Sequence, residues 1–134
     1  AFVGRNIPLS DKYVIGNIIN DIINRNNIKI RSKHRVIRSY MHTDDLSDIL
    51  LMLLKKQKKE FDIYNVGSDH ALDLHSTVKK LSLIFNLRYK FSEINDKENI
   101  DRYLPNIKKL RKNYKYNKKF NSFNAILKTI NTLK

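Results

Sequence analysis

The sequence is poor in the residues that cross-link, bend or anchor a chain: its 134 residues include no cysteine, three glycines and two prolines. Without cysteine, disulfides, thiolate metal sites and cysteine nucleophiles are excluded. No apolar run approaches the ~18 residues that span a bilayer, and the longest one, residues 49–54, ends at two lysines. The glycines form neither a Gly-x-x-Gly-x-x-Gly turn nor a P-loop, so the sequence contains no phosphate-cradling glycine loop.

Acidic residues are also scarce, because 13 of them face 27 lysines and arginines and give a formal net charge of +14. Two explanations stay open: a lysine-rich codon bias, or an anionic partner such as nucleic acid. Residues 108–119, here called the basic segment, carry Tyr114 and Tyr116 but no acidic residue. They predict either an anion-binding stripe or a solvated helix face. The basic residues are Lys108, Lys109, Arg111, Lys112, Lys115, Lys118 and Lys119.

The remaining composition is typical of one folded domain, with 41% hydrophobic residues, seven tyrosines and six phenylalanines. Apolar spacings of three and four predict a helix from Val14 to Ile23, capped by Ser10 and Asp11, and further helices starting near residues 43, 73, 105 and 122. Alternation predicts strands at residues 28–30, 36–42, 61–66 and 88–91, with a polar loop at 95–101. Alternating helices and strands predict an α/β layered fold.

The helix after residue 42 carries two further predictions. Thr43, Asp44 and Asp45 are expected to supply its N-cap oxygens. Its apolar residues run nearly all round until the last turn, which predicts that the helix is buried. For the following helix we expect Asp73 to be the cap.

Arg38 is the sharpest candidate for a binding residue, because it lies on a strand that is otherwise apolar or aromatic. A half-buried guanidinium needs an anionic partner, which could be Asp44, Asp45 or the phosphate of a ligand. The four histidines do not have metal-ligand spacing, so we expect no metal site. The Tyr-x-x-x-Lys pattern at Tyr114 and Lys118 has the frequency expected by chance.

Two segments carry a resemblance to a known family: residues 38–46, R-S-Y-M-H-T-D-D-L, and residues 64–68, Y-N-V-G-S. In order and spacing they resemble the patterns R-[DS]-[FYW]-[IVLM]-[HY]-[VT]-x-D-[LV] and [YF]-N-[VI]-G-S. These patterns belong to the C-terminal half of extended short-chain dehydrogenases/reductases, the NAD-dependent sugar epimerase/dehydratase family. Residues 1–4, 14–19, 102–106, 114–116 and 125–130 resemble further family segments, so the resemblance spans essentially the whole chain.

The resemblance implies a fold and a place in a longer protein. The fold would comprise the last Rossmann strands and helices together with a small mixed α/β substrate-binding domain. Residues 1–134 would form the C-terminal substrate-binding portion, and the N-terminal NAD-binding Rossmann half would be absent from this chain, which begins directly in strand-like residues. NAD and the catalytic Tyr-x-x-x-Lys would belong to that missing half, so this chain is expected to hold no catalytic, cofactor-binding or metal-ligating residue.

The resemblance also implies a substrate and the residues that bind it. Family members bind a nucleoside-diphosphate sugar in the C-terminal part. Arg38 matches the arginine that pairs with the substrate pyrophosphate, and Arg102 matches a second arginine at the phosphate and ribose. Asn17 and Tyr103 would lie near the nucleotide, and Asp45 would cap a helix.

Several positions depart from the family patterns and leave the substrate and reaction type open. Ala1 stands where many members have asparagine, Arg5 replaces a proline, Asn106 an aspartate and Lys115 a glycine. Epimerase, dehydratase and reductase chemistry therefore all stay possible interpretations, as does a divergent copy.

The expected function is that of the nucleotide-sugar-binding part of an NAD-dependent epimerase or 4,6-dehydratase, cytoplasmic and acting in polysaccharide precursor synthesis. The fragment alone is expected to be inactive, and the full-length protein to be a homodimer with no membrane or nucleic-acid partner. Two alternatives are kept: a basic nucleic-acid-binding module that uses the basic segment, and an inactive truncated paralogue.

Overall fold

The computed structural model of the chain describes residues 1–10, 12–30, 32, 34–56, 61–92 and 100–134. The helices are α1 (Val14–Ile23), α2 (Thr43–Lys55), α3 (Leu74–Phe85), α4 (Lys108–Tyr114) and α5 (Ser122–Leu133). The strands are β1 (Phe2–Val3), β2 (Ile28–Ile30), β3 (Val36–Arg38), β4 (Met41–His42), β5 (Leu72–Asp73), β6 (Tyr89–Phe91) and β7 (Asp101–Arg102). This alternation confirms the predicted α/β class.

The strands pair in three small groups. β1 runs parallel to β4, and β2 runs parallel to β6. The third group has the order β5-β3-β7, in which β3 is antiparallel to β5 and parallel to β7. Parallel neighbours need long crossover connections, and each parallel pair here is indeed separated in sequence by at least one helix.

The main core lies where α1, α3 and α5 pack around β2. The helical spacing of three and four puts one apolar stripe of each helix against the others, as predicted. The most buried side chains of this core are Ile18, Ile19, Ile22, Ile28, Val78, Leu81, Ile126 and Ile130. A second, smaller cluster joins α2 to α4 through Met41, Ile49, Leu110 and Tyr114.

The predicted strand at residues 36–42 is wrong as a single element, because the structure divides it into β3 and β4, which belong to different sheets. Between them, the backbone N–H of Tyr40 donates to the Ser122 hydroxyl (3.0 Å) instead of to a neighbouring strand. Ser39, Tyr40, Met41 and His42 are all buried in succession, so the expected alternation of faces stops at Arg38.

The predicted strand at residues 61–66 is also wrong, since this described stretch forms no strand. Side-chain contacts hold it against α4 instead. The Asp62 carboxylate accepts from Lys109 and from the Tyr64 hydroxyl, and the Asn65 amide donates to the Asn106 carbonyl (3.2 Å). The predicted strand at 88–91 is confirmed as β6, and the predicted loop at 95–101 lies outside the described residues up to position 99.

Two of the predicted helix caps are wrong. The N-cap of α1 is Tyr13, without a side-chain hydrogen bond; Asp11 lies outside the described residues. The N-cap of α2 is His42, whose Nδ1 accepts from the Asp44 N–H (3.1 Å). Asp73 caps α3 as predicted, accepting from the Ser76 N–H (2.9 Å).

The expectation that α2 is buried all round is wrong for the part of the chain that the structure describes. Asp45 and Ile49 are its buried residues. Leu50, Leu51 and Leu54 are 49%, 53% and 77% exposed. An apolar helix face is buried only where another element packs on it, and α2 makes its main contacts with β4.

Candidate functional site

Arg38 lies at the end of β3, the middle strand of the sheet β5-β3-β7, and its side chain reaches over β7. Its Nη2 donates to Oδ2 of Asp101 (2.5 Å), and its Nη1 donates to the carbonyls of Asp101 (2.8 Å) and Ile37 (3.0 Å). The Arg38 side chain is 27% exposed and that of Asp101 is 56% exposed. The guanidinium is therefore half-buried and paired with an anion, as the strand position predicts.

The protein anion that pairs with Arg38 is Asp101, and not Asp44 or Asp45, the two carboxylates that the sequence interpretation named besides a ligand phosphate. Asp44 pairs instead with Lys128. The Arg38 hydrogen bond, helped by the charges of Arg38 and His34 and partly opposed by desolvation, lowers the pKa of the Asp101 carboxyl. Asp101 is therefore ionised at neutral pH and forms an ion pair with Arg38.

Arg102 follows Asp101 on β7, and Tyr103 comes directly after this strand. The register pairs Arg102 with Ile37, and the Tyr103 N–H donates to the Ile37 carbonyl (3.1 Å). Because side chains alternate along a strand, Arg102 lies on the opposite face of the sheet from Arg38. Tyr103 shares the face of Arg38 and is 65% exposed. The structure thus brings Arg38, Arg102 and Tyr103 together at the neighbouring strands β3 and β7. The two arginines lie on opposite faces of the sheet.

Asn17 is separate from this group. It lies in the first turn of α1, half-buried, and its backbone N–H donates to the Tyr13 carbonyl (3.0 Å). No hydrogen bond described in the structure joins it to β3 or β7. The sequence-predicted set therefore divides into Arg38, Arg102 and Tyr103 at one place and Asn17 at another.

A cavity that the sequence did not indicate opens just beyond the carboxyl ends of the parallel strands β1 and β4. It has a volume of about 290 Å³ and is lined by residues 2–8 and Thr43. Its floor is tight, because a Cβ on Gly4 would lie 2.1 Å from the Thr43 hydroxyl. Clefts beyond the carboxyl ends of parallel strands are the usual ligand positions in α/β folds. The sequence could not indicate this cavity, because it depends on the pairing of two short strands that are far apart in the chain.

Asp45 has a different role from the predicted cap. It is completely buried, and its Oδ1 accepts from the Tyr116 hydroxyl (2.9 Å) and the Lys119 N–H (2.7 Å). Its Oδ2 accepts from the Phe120 N–H (3.2 Å). Burial, followed by the hydrogen bond to Asp45, raises the pKa of the Tyr116 phenol. Asp45 therefore fixes the chain before α5 against the start of α2, and is a structural residue.

His42 does not have the arrangement of an acid–base catalyst. Its Nδ1 accepts a hydrogen bond from the Asp44 N–H, and its Nε2 is buried without a hydrogen-bond partner among the described residues. Burial, only partly opposed by the charge of Asp44, lowers the pKa of the imidazole. The ring is thus held neutral beside Phe120, as part of the packing at the start of α2.

The basic segment is partly neutralised by aspartates from elsewhere in the chain. Lys109 pairs with Asp62, Lys119 with Asp48, and both Arg111 (2.5 Å) and Lys118 (2.8 Å) with Asp69. Lys112 and Lys115, together with Lys56, line a shallow pocket of about 350 Å³. We call this the lysine pocket. Of the predicted anion-binding stripe, Lys112 and Lys115 are the residues that line it.

The Tyr-x-x-x-Lys spacing in this segment is not a working pair. Helix α4 ends at Tyr114, and Lys115 turns the chain with a φ of 48°. Lys118 instead donates to the Ser68 hydroxyl (3.0 Å) and to Asp69 (2.8 Å). Within the residues that the structure covers, no group of three histidines and acids could hold a metal ion. No described helix is long and apolar enough to cross a membrane.

Comparison with known proteins gives this geometry a context. Residues 2–67 match the family model of the NAD dependent epimerase/dehydratase family. The fold is similar to UDP-glucuronic acid 4-epimerase from Bacillus cereus, solved with UDP-glucuronic acid and NAD, at a TM-score of 0.79, 12% identity, 99% coverage of this chain and 42% of that one. It is also similar to dTDP-glucose 4,6-dehydratase from Bacillus anthracis, solved with NAD, at a TM-score of 0.77, 13% identity, 98% coverage of this chain and 41% of that one.

A UDP-galactose 4-epimerase has the same fold at a TM-score of 0.71 and 22% identity, covering 98% of this chain and 42% of that one. No curated protein matches the chain in sequence. The chain therefore spans less than half the length of these solved relatives and has the fold of part of an extended short-chain dehydrogenase/reductase. The family match over residues 2–67 and the shared fold confirm the resemblance seen in the sequence.

Proposed function

We propose that this chain is the substrate-binding portion of an NAD-dependent nucleotide-sugar epimerase or dehydratase, and that it binds the nucleoside diphosphate of the sugar substrate. The observation that carries the proposal is Arg38, a half-buried guanidinium at the exposed end of a sheet, next to Arg102 and Tyr103. A fixed guanidinium is the side chain best suited to bind a phosphate with two parallel hydrogen bonds.

The placement of the neighbouring residues supports the same ligand. Arg102 lies on the end strand β7, so a diphosphate at the edge of the sheet could be approached by both arginines from either face. Tyr103 exposes a ring suited to contact with a nucleoside. The cavity beyond β1 and β4 is small, at about 290 Å³, and would take one end of a ligand, for which we propose the sugar.

NAD does not fit the described part of this chain. Each of the three glycines is pressed against protein atoms: Gly4 against Thr43, Gly16 against the Pro8 carbonyl and Gly67 against the Pro105 ring. None is open to the close approach of a pyrophosphate, which glycine turns serve in dinucleotide-binding folds. We propose that the cofactor and the general base belong to a further part of a longer protein.

The test is the affinity of the 134-residue chain for UDP and dTDP, measured by isothermal titration calorimetry. Arg38→Ala is expected to weaken binding by about 10- to 100-fold, because a hydrogen bond to a charged group contributes about 1.5–3 kcal/mol. UDP should bind more tightly than UMP, since Arg38 and Arg102 are both proposed to contact the diphosphate.

Arg35→Ala is the matched control. Arg35 also carries one positive charge on the approach to β3, but it pairs with Asp73 and is 55% exposed, so its loss should change the affinity less than about twofold. Equal losses for the two variants would show a non-specific charge effect. No loss with Arg38→Ala would contradict the assignment.

A further inference from the structure

The contacts of Arg38 leave a defined part of its guanidinium unused. A guanidinium has five N–H donors. Three of them are directed to the Asp101 carboxylate, the Asp101 carbonyl and the Ile37 carbonyl, all from Nη1 and Nη2. In the parts of the chain that the structure describes, the Nε–H and the second N–H of Nη2 have no protein partner.

In the planar guanidinium, the Nε–H and one N–H of Nη2 lie side by side along the edge away from Nη1. That edge has the geometry that binds two oxygens of a phosphate at once. The other contacts go to the Asp101 carboxylate and carbonyl and to the Ile37 carbonyl, so Asp101 supplies two of the three acceptors that hold the guanidinium. The long arginine side chain would otherwise sample many rotamers, and fixing it in advance reduces the entropy lost on binding.

We propose that Asp101 is a positioning residue, which holds Arg38 so that its Nε/Nη2 edge faces one phosphate of the nucleoside diphosphate. The inference rests on the proposed function. It concerns a residue that neither the strand pattern nor the family resemblance indicates. Asp101 itself would not touch the ligand; its carboxylate would act only through Arg38.

The direction in which UDP affinity changes when Asp101 is replaced distinguishes positioning of Arg38 from competition with the phosphate. If Asp101 only competed with the phosphate for Arg38, its removal would tighten binding, and the loss of a nearby negative charge would act in the same direction. Positioning alone predicts that binding becomes weaker when the negative charge is removed. Weaker binding by Asp101→Ala therefore cannot be explained by simple electrostatics.

The experiment measures UDP affinity by calorimetry for the wild-type chain, Asp101→Ala and Asp101→Asn, together with the heteronuclear NOE of the Arg38 Nε–H. We expect Asp101→Ala to weaken UDP binding about tenfold and to lower the Arg38 NOE to that of exposed arginines. Asp101→Asn, which keeps one acceptor, should lie between. Asp73→Asn is the control, because Asp73 holds Arg35 in a similar pair while asparagine retains the helix cap; it should leave UDP affinity unchanged.

The outcomes distinguish this inference from the proposed function. If the wild-type chain binds neither UDP nor inorganic pyrophosphate, both fail together. If the wild-type chain binds UDP and Arg38→Ala does not, but Asp101→Ala binds as tightly as wild type or more tightly, the proposed function stands and the positioning role is overturned. A weaker affinity with an unchanged Arg38 NOE would overturn it as well.

Discussion

Asp45 joins two distant segments of the chain through one buried carboxylate. It accepts three hydrogen bonds, from the Tyr116 hydroxyl and from the backbone N–H groups of Lys119 and Phe120. Both backbone donors are main-chain groups that need a partner when they are removed from water. The carboxylate therefore determines where the chain lies just before α5, and through it the packing of α5 on α1.

Asp45→Asn is expected to destabilise the fold. The amide keeps the shape of the side chain, but its NH₂ group would face an N–H donor, so at least one buried donor loses its acceptor. The free energy of unfolding should fall by about 2–4 kcal/mol, measured by urea denaturation. Asp48→Asn on the same helix is the control, because Asp48 is 43% exposed and pairs with the exposed Lys119, and it should cost less than about 1 kcal/mol. Similar losses for both would contradict the role of Asp45.

At the residue scale, the sequence predicted that Arg38 needs an anionic partner, but it did not identify Asp101 as that partner. Arg38 lies on an apolar strand, so its demand for an anion follows from local burial. Asp101 is 63 positions away in the chain, next to a polar stretch without periodicity, and nothing local connects the two. Asp45 was interpreted locally as a cap for the same reason, since its real partners lie 71 to 75 positions away.

At the scale of elements, α1 depends on a close approach to the loop before it. Gly16 is buried in the helix, and a Cβ at this position would lie 2.3 Å from the carbonyl oxygen of Pro8. A backbone oxygen cannot rotate aside as a side chain could. The helix therefore needs glycine here for packing, although glycine is a poor helix former.

Gly16→Ala is expected to destabilise the protein although it improves helix propensity. Alanine is favoured over glycine by about 1 kcal/mol in a helix interior, but overpacking costs about 1–3 kcal/mol and here requires the backbone to move. The net loss should appear as a lower urea midpoint. Asn131→Ala, at an exposed site on α5, should be neutral or slightly stabilising; a Gly16→Ala variant that gained stability to a similar extent would show that the close contact does not matter.

The helices were predictable and some of the strands were not, for physical reasons. The apolar stripes of α1, α3 and α5 repeat over three turns, so their pattern survives in the sequence. The strands are two or three residues long, too short for alternation to set their limits. Residues 61–66 alternate like a strand but form none; Asp62 instead pairs with Lys109 and accepts from the Tyr64 hydroxyl.

At the scale of the whole molecule, the excess positive charge is distributed in two ways. Several basic side chains of the basic segment form ion pairs with Asp48, Asp62 and Asp69. The lysine pocket and the Arg38 edge are two separate places that an anion could bind, and they differ in kind. Exposed ammonium groups line the lysine pocket, whereas the Arg38 guanidinium donates to Asp101 and Ile37.

The proposed binding of the nucleoside diphosphate at β3 and β7 is tested by locating the nucleotide on the chain. The measurement is a titration of the ¹⁵N-labelled chain with UDP, following every backbone amide by NMR. We predict that the largest shifts fall on Arg38, Arg102 and Tyr103 and disappear in Arg38→Ala, with smaller changes at Asn17. Shifts confined to Lys56, Lys112 and Lys115, or shifts that persist without Arg38, would contradict the proposal that this sheet edge binds the nucleoside diphosphate.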